Sequence, residues 1–496
     1  MACLFLYAAA APHSIAGTQT AWLLAMLFWV ARLCVRPRPA LFRTPVDPWL
    51  FGFFVLTFLT ALTSYNPEVS IGKLRAASLF TVVYVAAQNV RGARVLRALA
   101  LTLVVSCALG LVHTFSTYAR GRGVKLQSLA ADSPLRATGF VEGDTILSVD
   151  GAEVQSPADV VARIETQGAP GRERAYRFPD GRVACRWDER LSCVRVYRAE
   201  ALPTGHVARA GLVPGATAEA RLGIREWSKG RDERASGFYG QYQTYAEVLQ
   251  LVASLALGML LAMRRKLSLK GLLLGVALAG MLAALMLTVT RASWAGLLAS
   301  AFTIALVGAS RRALLWTAAL ALPLALAGLF VLQQKRQVGF IDMQEGSTSW
   351  RLLVWREGAE VLASSPRHLL VGVGMDSLKR RWREWGMFDQ GRQPWGHLHS
   401  TPLQIAFERG LPALLVWAAW LFVYGRMLWR LARGGLEGDW VVRGLALGAL
   451  GGLVGFLAAG LVHYNFGDSE VVMVFYFIMG LALAAERLVG GETAGK

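Results

Sequence analysis

The chain has 496 residues, 54% of them hydrophobic, and its apolar residues fall in long blocks that a set of soluble domains would not need. A formal net charge of +19 would suit a nucleic-acid partner in a soluble protein. Here the Lys and Arg stand mainly in short clusters between apolar blocks, with no basic groove interleaved with base-stacking aromatics, so nucleic acid is excluded and a membrane protein is implied.

The blocks run to about 17–25 residues, the length a helix needs to cross roughly 30 Å of hydrocarbon. Candidate spans lie near 1–15, 18–35, 48–64, 70–88, 94–116, 239–263, 269–289, 292–309, 312–332, 403–425, 440–462 and 467–488. That makes an all-α polytopic membrane protein of about twelve transmembrane helices. Met1 to Ala11 has no basic segment before its apolar run, so a short first span is expected there and not a cleaved signal peptide. Basic clusters follow every second span: Arg32, Arg36, Arg38 and Arg43; Arg91, Arg94 and Arg97; Arg264, Arg265 and Lys266; Arg311 and Arg312; Arg426, Arg430 and Arg433. Those loops and both termini are expected in the cytoplasm.

The chain thus divides into N-terminal helices (1–116), a polar insertion (117–238), a second helical group (239–332), a large loop (333–402) and C-terminal helices (403–496). Alternation places both polar insertions on the outer side, and long translocated segments escape the positive-inside bias, so their arginines do not contradict this. The other outer connections are poor in clustered charge apart from Lys73 and Arg75.

In the first insertion, Gly143-Asp144 precedes the apolar strand pattern Thr145 to Val149, Asp150-Gly151 is a hairpin turn signal, and Ser156-Pro157 opens a helical stretch to Glu165. Over about 123–200 this resembles a bacterial PDZ domain, a small mainly-β module. The resemblance implies that an extended peptide ligand adds to a sheet edge, with Gly123-Val124-Lys125-Leu126 as the strand offered. A packing or spacer module without a ligand is the alternative. Cys185 and Cys193 lie in the same polar region, where a disulfide closing a small loop fits an oxidising space. Cys3, Cys34 and Cys107 lie in or beside apolar segments and read as small hydrophobes.

The second insertion and its flanks hold the chemistry. Arg291 stands alone between two apolar blocks within Thr288-Val289-Thr290-Arg291-Ala292-Ser293-Trp294, where an unpaired cation is costly and an anion partner economical. Trp350-Arg351-Leu352-Leu353-Val354-Trp355 begins an amphipathic helix that also carries Arg356. His397-Leu398-His399-Ser400 precedes an apolar run, Thr401 to Phe407, then Glu408-Arg409-Gly410, which places His399 at the membrane surface.

Taken in order, these elements resemble the O-antigen ligase and polymerase family: a Thr-x-x-Arg turn between two spans, an Arg-x-x-x-Trp element, Pro366 and Gly372-Val373-Gly374, then a His-Ser followed by nine residues and a Gly at a loop-to-span junction. The resemblance covers about 237–488. It implies a GT-C-like glycosyltransferase that moves a glycan from an undecaprenyl-type polyprenyl diphosphate to an acceptor hydroxyl, working in the lipid bilayer of a bacterial inner membrane with its site facing the periplasm. Such chemistry releases a multiply charged diphosphate and deprotonates a hydroxyl. Arg291, Arg351 and Arg356 are the expected diphosphate contacts, and His399 is the expected general base or hydroxyl-orienting group. His397, Asp376 and Glu408 are expected helpers, and His463 and Asp468 sit on an outer connection from which they can face the same cavity.

No Asp-x-Asp pair occurs in the long loops, so the reaction is expected to run without metal or other cofactor, arginines supplying the charge. None of the seven histidines is followed by Glu, which excludes a His-Glu-x-x-His protease. The His-Ser spacing favours a ligase acting on lipid A core. Polymerisation onto a second lipid-linked glycan, transfer to a protein, or, in a different class, transport of a lipid-linked glycan are the alternatives.

Overall fold

The computed structural model describes residues 1–137, 140–149, 152–165, 194–197, 212–231, 234–308, 346–391, 396–434 and 440–494. The chain forms two compact units, one of residues 1–113, 235–330 and 338–496, the other of residues 114–234 and 331–337.

In the first unit the N-terminal helices are α1 (Ala2–Ala10), α2 (Ile15–Cys34), α3 (Asp47–Leu62), a broken helical segment α4 (Pro67–Asn89) and α5 (Ala93–Arg120). After the insertion come α6 (Tyr242–Ala262), α7 (Leu269–Leu287) and α8 (Arg291–Gly308), then α9 (Gly346–Ala363) and the short α10 (Pro366–Val371) of the large loop. The chain closes with α11 (Thr401–Arg433), α12 (Trp440–Gly460) and α13 (Ser469–Ala494).

Eight helices among the described residues are long and apolar enough to cross a membrane: α4, α5, α6, α7, α8, α11, α12 and α13. The expectation of twelve differs at identifiable places. α1 has nine residues, too few to span at 1.5 Å each. α3 stops at 16 residues, and α2 reaches 20 but contains Thr18, Gln19, Thr20 and Arg32. The span expected at 312–332 lies outside the described residues.

α12 packs against both α6 and α8, and glycine sets the distance. A Cβ on Gly448 would stand 2.6 Å from the Leu255 Cα, and one on Gly296 would stand 2.7 Å from the Gly455 carbonyl oxygen. Because lipid tails are as apolar as leucine, helices associate in a bilayer through such close backbone approach. Gly448→Leu is therefore expected to remove the monodisperse peak of detergent-solubilised protein in size-exclusion chromatography, whereas Val276→Leu, on an exposed face of α7, leaves it intact.

The large loop has its own apolar core of Val354, Val361, Val373, Leu378, Met387, Phe388, Leu398 and Phe407. It is joined to the segment after α3 by hydrogen bonds spanning some 300 positions. The Tyr65 amide donates to the Val373 carbonyl (3.2 Å), Ser64 Oγ lies 3.0 Å from Ser377 Oγ, and Ser70 Oγ donates to the Met375 carbonyl (2.9 Å).

In the second unit, Arg122–Leu129 (β1), Thr145–Val149 (β2), Ala152–Glu153 (β3), Val194–Tyr197 (β4) and Ile224–Gly230 (β5) form one antiparallel sheet in the order β3-β2-β1-β5, with β4 also paired to β2. The strand predicted at Thr145 to Val149 and the helix predicted after Ser156 are both present, the latter as Pro157–Glu165. Val124, Leu126, Ile146, Val149, Val160 and Ile164 fill the core between them.

One expectation is corrected. β1 is bonded on both sides, with Lys125 opposite Thr145 on β2 and opposite Ser228 on β5, so Gly123-Val124-Lys125-Leu126 offers no free edge for a peptide. The Asp150-Gly151 turn and the Cys185 and Cys193 pair lie outside the described residues.

Candidate active site

A cavity of about 340 Å³ opens within the first unit. It is lined by Lys73 of α4, Thr244 and Glu247 of α6, the loop residues Asp376, Lys379, His397 and His399, Glu408 and Arg409 of α11, and His463, Tyr464 and Asp468 of the connection between α12 and α13. Four expected site residues, His397, His399, Asp376 and Glu408, thus come together, and His463 and Asp468 join them.

Leu398 is held from both sides. Its carbonyl accepts from Trp355 Nε1 (2.8 Å), and its amide donates to Gln404 Oε1 (2.7 Å). The flanking imidazoles turn toward each other with ring centroids 3.9 Å apart, and the Trp350 ring meets His399 edge-on at 4.8 Å. His399 reaches this position with φ of 48°, the left-handed region that costs a side-chain-bearing residue roughly 1–2 kcal/mol. Asp376 shares that conformation with φ of 57°. Strain at two lining residues shows that the surroundings fix their geometry.

The motif glycine has a physical cause. α11 breaks at Gly410, whose φ of 82° no L side chain adopts easily, and a Cβ there would run into the Leu370 carbonyl oxygen. The break lets Glu408 and Arg409 enter the cavity wall before the helix resumes at Leu411-Pro412.

Glu408 is the hub of that wall. It accepts from Gln404 Nε2 (2.9 Å), the Asp376 amide (3.1 Å) and the Tyr464 hydroxyl (3.2 Å), and it pairs with Arg409 at 3.1 Å. Asp376 bridges Lys73 (2.7 Å) and Lys379 (3.1 Å). Burial works against ionising Asp376, but those two lysines outweigh it and hold the carboxyl below its ordinary value.

Burial, assisted by Lys379 and His463, pushes His397 down to about 4. Burial and the basic neighbours His397, His463 and Arg351 hold His399 well below the usual imidazole range. Both rings are therefore neutral at pH 7. The His399 amide donates to His397 Nδ1 (3.1 Å), which suits a neutral ring protonated at Nε2. The linkage has a definite sign. Above about pH 6.5 the two histidines are neutral folded or unfolded, and as pH falls from there toward 4 the unfolded chain takes up protons that the folded site resists. The melting temperature is expected to fall over that window more steeply for the wild type than for His397→Gln, as followed by thermal unfolding in detergent.

The arginines divide. Arg351 is half-buried on α9, one residue from Trp350, and its charge acts on both histidines. Arg291 opens α8 after a turn in which Val289 has φ of 50°, an outlier for a β-branched residue. α8 and α12 run antiparallel, Gly296 lying against Gly455 and Ile304 against Gly451, so Arg291 stands at the end of the bundle where α12 finishes and the cavity lies. It is not itself a lining residue. Arg356 is exposed on α9 and pairs with Glu360 at 3.7 Å, a solvated helix face away from the cavity.

Lys73, Lys379, Arg409, Tyr464 and Glu247 were not expected. Two left a signal: Lys73, with Arg75, is a charge beside an apolar block, and Glu247 is a carboxylate inside one. Among the described residues, no cluster of three or more His, Cys, Asp or Glu has the geometry of a metal site.

Residues 276–418 match the family described as O-antigen ligase. The chain carries an O-antigen ligase domain. The matched stretch contains Arg291, Arg351, Asp376, His397, His399, Glu408 and Arg409. Lys73 and Glu247 precede the ligase domain, and His463, Tyr464 and Asp468 follow it, so its cavity is completed from both sides of the matched stretch. No curated protein matches the chain.

Proposed function

We propose that this protein moves a glycan from a polyprenyl diphosphate to an acceptor hydroxyl, lipid A core in the first instance, at the periplasmic face of a bacterial inner membrane. The observation that carries this reading is the cavity itself, in which neutral His397 and His399 stand beside Lys73, Lys379 and Arg409 within reach of the Arg351 charge. Fixed cations stabilise the departing diphosphate without reorganising during the reaction. A neutral imidazole can orient the acceptor hydroxyl or draw off its proton.

Charge supports the periplasmic face. α6 starts at the cavity and ends before Arg264, Arg265 and Lys266, while α11 starts at the cavity and ends with Arg426, Arg430 and Arg433. By the positive-inside rule those far ends are cytoplasmic.

The test is to incubate purified protein with an undecaprenyl-diphosphate-linked oligosaccharide and, in separate reactions, lipid A core, a second lipid-linked glycan and an acceptor protein. A new glycosidic bond to lipid A core supports the ligase reading, and one to the lipid-linked glycan supports polymerisation. Movement of the donor across vesicles with no new bond would show a transporter. Arg351→Ala and Arg291→Ala are each expected to cut transfer by roughly 10²-fold or more, as loss of a preorganised charge at a transition state does.

A further inference from the structure

A second basic region of the first unit has no part in the candidate active site. At the end of α2 and just after α4, Trp29, Arg32, Leu41, Gln88, Asn89 and Arg91 line a smaller cavity of about 150 Å³. It lies toward the other end of the helices. Ser469, at the start of α13, lines the large cavity, and Arg487, about 27 Å further along the same helix at 1.5 Å per residue, donates to the carbonyl of Val90 beside the small one.

The segment after α2 is held in place to form this wall. Gln88 Nε2 donates to the Phe42 carbonyl (2.7 Å), and Gln88 Oε1 accepts from the Phe42 amide (3.1 Å). Arg32 Nη1 donates to the Val35 and Pro37 carbonyls (3.1 and 2.8 Å), which ties the same segment to α2. The Arg487 guanidinium stands 4.5 Å from the Phe42 ring centroid.

The charge here is of one sign. Residues 31–46 and 85–100 together contain seven arginines and neither Asp nor Glu. Among the described residues, neither Arg32 nor Arg91 pairs with a carboxylate, and the charge of Arg91 acts against that of Arg487. Like charges gathered round a hollow oppose one another until an anion enters it. A topology signal needs only a count of positive charges, not a cavity with guanidiniums in its wall. The neighbouring surface is apolar: Leu23, Leu27 and Val30 form one exposed stripe along α2, and Leu41 is exposed as well. Trp29 adds an indole, a side chain enriched at headgroup level.

We propose that this cavity binds the phosphate of an anionic phospholipid, with the headgroup at Arg32 and Arg91 and the acyl chains along the Leu23, Leu27 and Val30 stripe. By the positive-inside rule the arginine clusters put this end in the cytoplasmic leaflet, where basic pockets between helices take anionic headgroups. The site stands apart from glycan transfer and does not depend on it.

The experiment is native mass spectrometry of the full-length protein in detergent, reading the dissociation constant of the first lipid bound as phosphatidylglycerol or phosphatidylcholine is added. Phosphatidylglycerol is expected to bind the wild type roughly tenfold or more tightly than phosphatidylcholine. Arg91→Gln is expected to weaken phosphatidylglycerol binding roughly fivefold, the worth of one basic side chain at a charged membrane surface, and Arg32→Gln combined with Arg91→Gln roughly 20-fold or more. Arg426→Gln combined with Arg433→Gln removes as much charge from exposed positions on α11 and should leave the constant unchanged. Equal binding of the two lipids, full affinity in Arg91→Gln, or an equal loss in the α11 pair would overturn the proposal. Displacement of phosphatidylglycerol by millimolar inorganic phosphate would replace the lipid with a soluble anion and overturn it too. Arg32 also braces its segment, so if the double variant does not fold, Arg91→Gln decides alone, because among the described residues the Arg91 guanidinium makes no hydrogen bond that its loss would break.

Discussion

His399→Ala is expected to lower glycan transfer roughly 10²–10⁴-fold, the range spanned by loss of a positioned acid–base or hydroxyl-binding side chain. The variant should still insert and elute as the wild type, because the groups that hold the segment in place belong to its neighbours: the Leu398 backbone is bonded to Trp355 and Gln404, and Thr401 to the connection after α12. Removing the ring also removes a left-handed histidine, replaced by an alanine under the same backbone constraint, so the stability change is small. The check pairs a transfer assay on the lipid-linked donor with thermal unfolding of the same preparation. Full activity in His399→Ala would remove the imidazole from the mechanism.

Glu408→Ala is expected to have the largest effect on stability, about 3–5 kcal/mol, the range for breaking a buried ion pair from one side. Its carboxylate faces Arg409 at 3.1 Å with side-chain exposures of 3% and 7%, and its other contacts are Gln404, Tyr464 and the Asp376 amide. Truncation leaves a guanidinium buried without its counter-charge and three polar groups without an acceptor. Glu408→Gln keeps the shape and part of the hydrogen bonding and should lose less. Thermal unfolding of the two variants side by side in one detergent measures the difference.

Much of this architecture was legible in the sequence because membrane spans are set by length and hydropathy alone. The periodic apolar blocks placed α5 to α8, α12 and α13 within a few residues, while α11 runs eight residues past the end expected for its span. The apolar runs expected to span at 1–15 and 48–64 form helices of nine and 16 residues, shorter than the eight described helices long enough to cross a bilayer. At the site, His399 and Gly410 could be found by spacing, because a broken helix with a glycine at the break leaves a fixed interval. Arg356 was expected at the site, but helix periodicity does not say which face of α9 meets the cavity, and in three dimensions Arg356 is exposed and pairs with Glu360.

Lys73, Glu247 and Tyr464 reach the cavity only through tertiary packing, and no local pattern encodes a meeting across hundreds of residues. In the insertion the strand and helix signals held, while the pairing partner of β1 did not. β5 lies about a hundred positions downstream, beyond the reach of any local signal.

The serine and tyrosine bonds that tie residues 64–70 to residues 373–377 have a consequence for biosynthesis. Ser64 and Val373 are 309 positions apart. At translation rates of about 5–20 residues per second, the early helices sit in the bilayer for on the order of 15–60 s before their partners emerge. A ribosome stalled anywhere before residue 373 would leave a membrane-inserted chain whose Ser64, Tyr65 and Ser70 still await their partners, so catalytic competence arrives late and all at once.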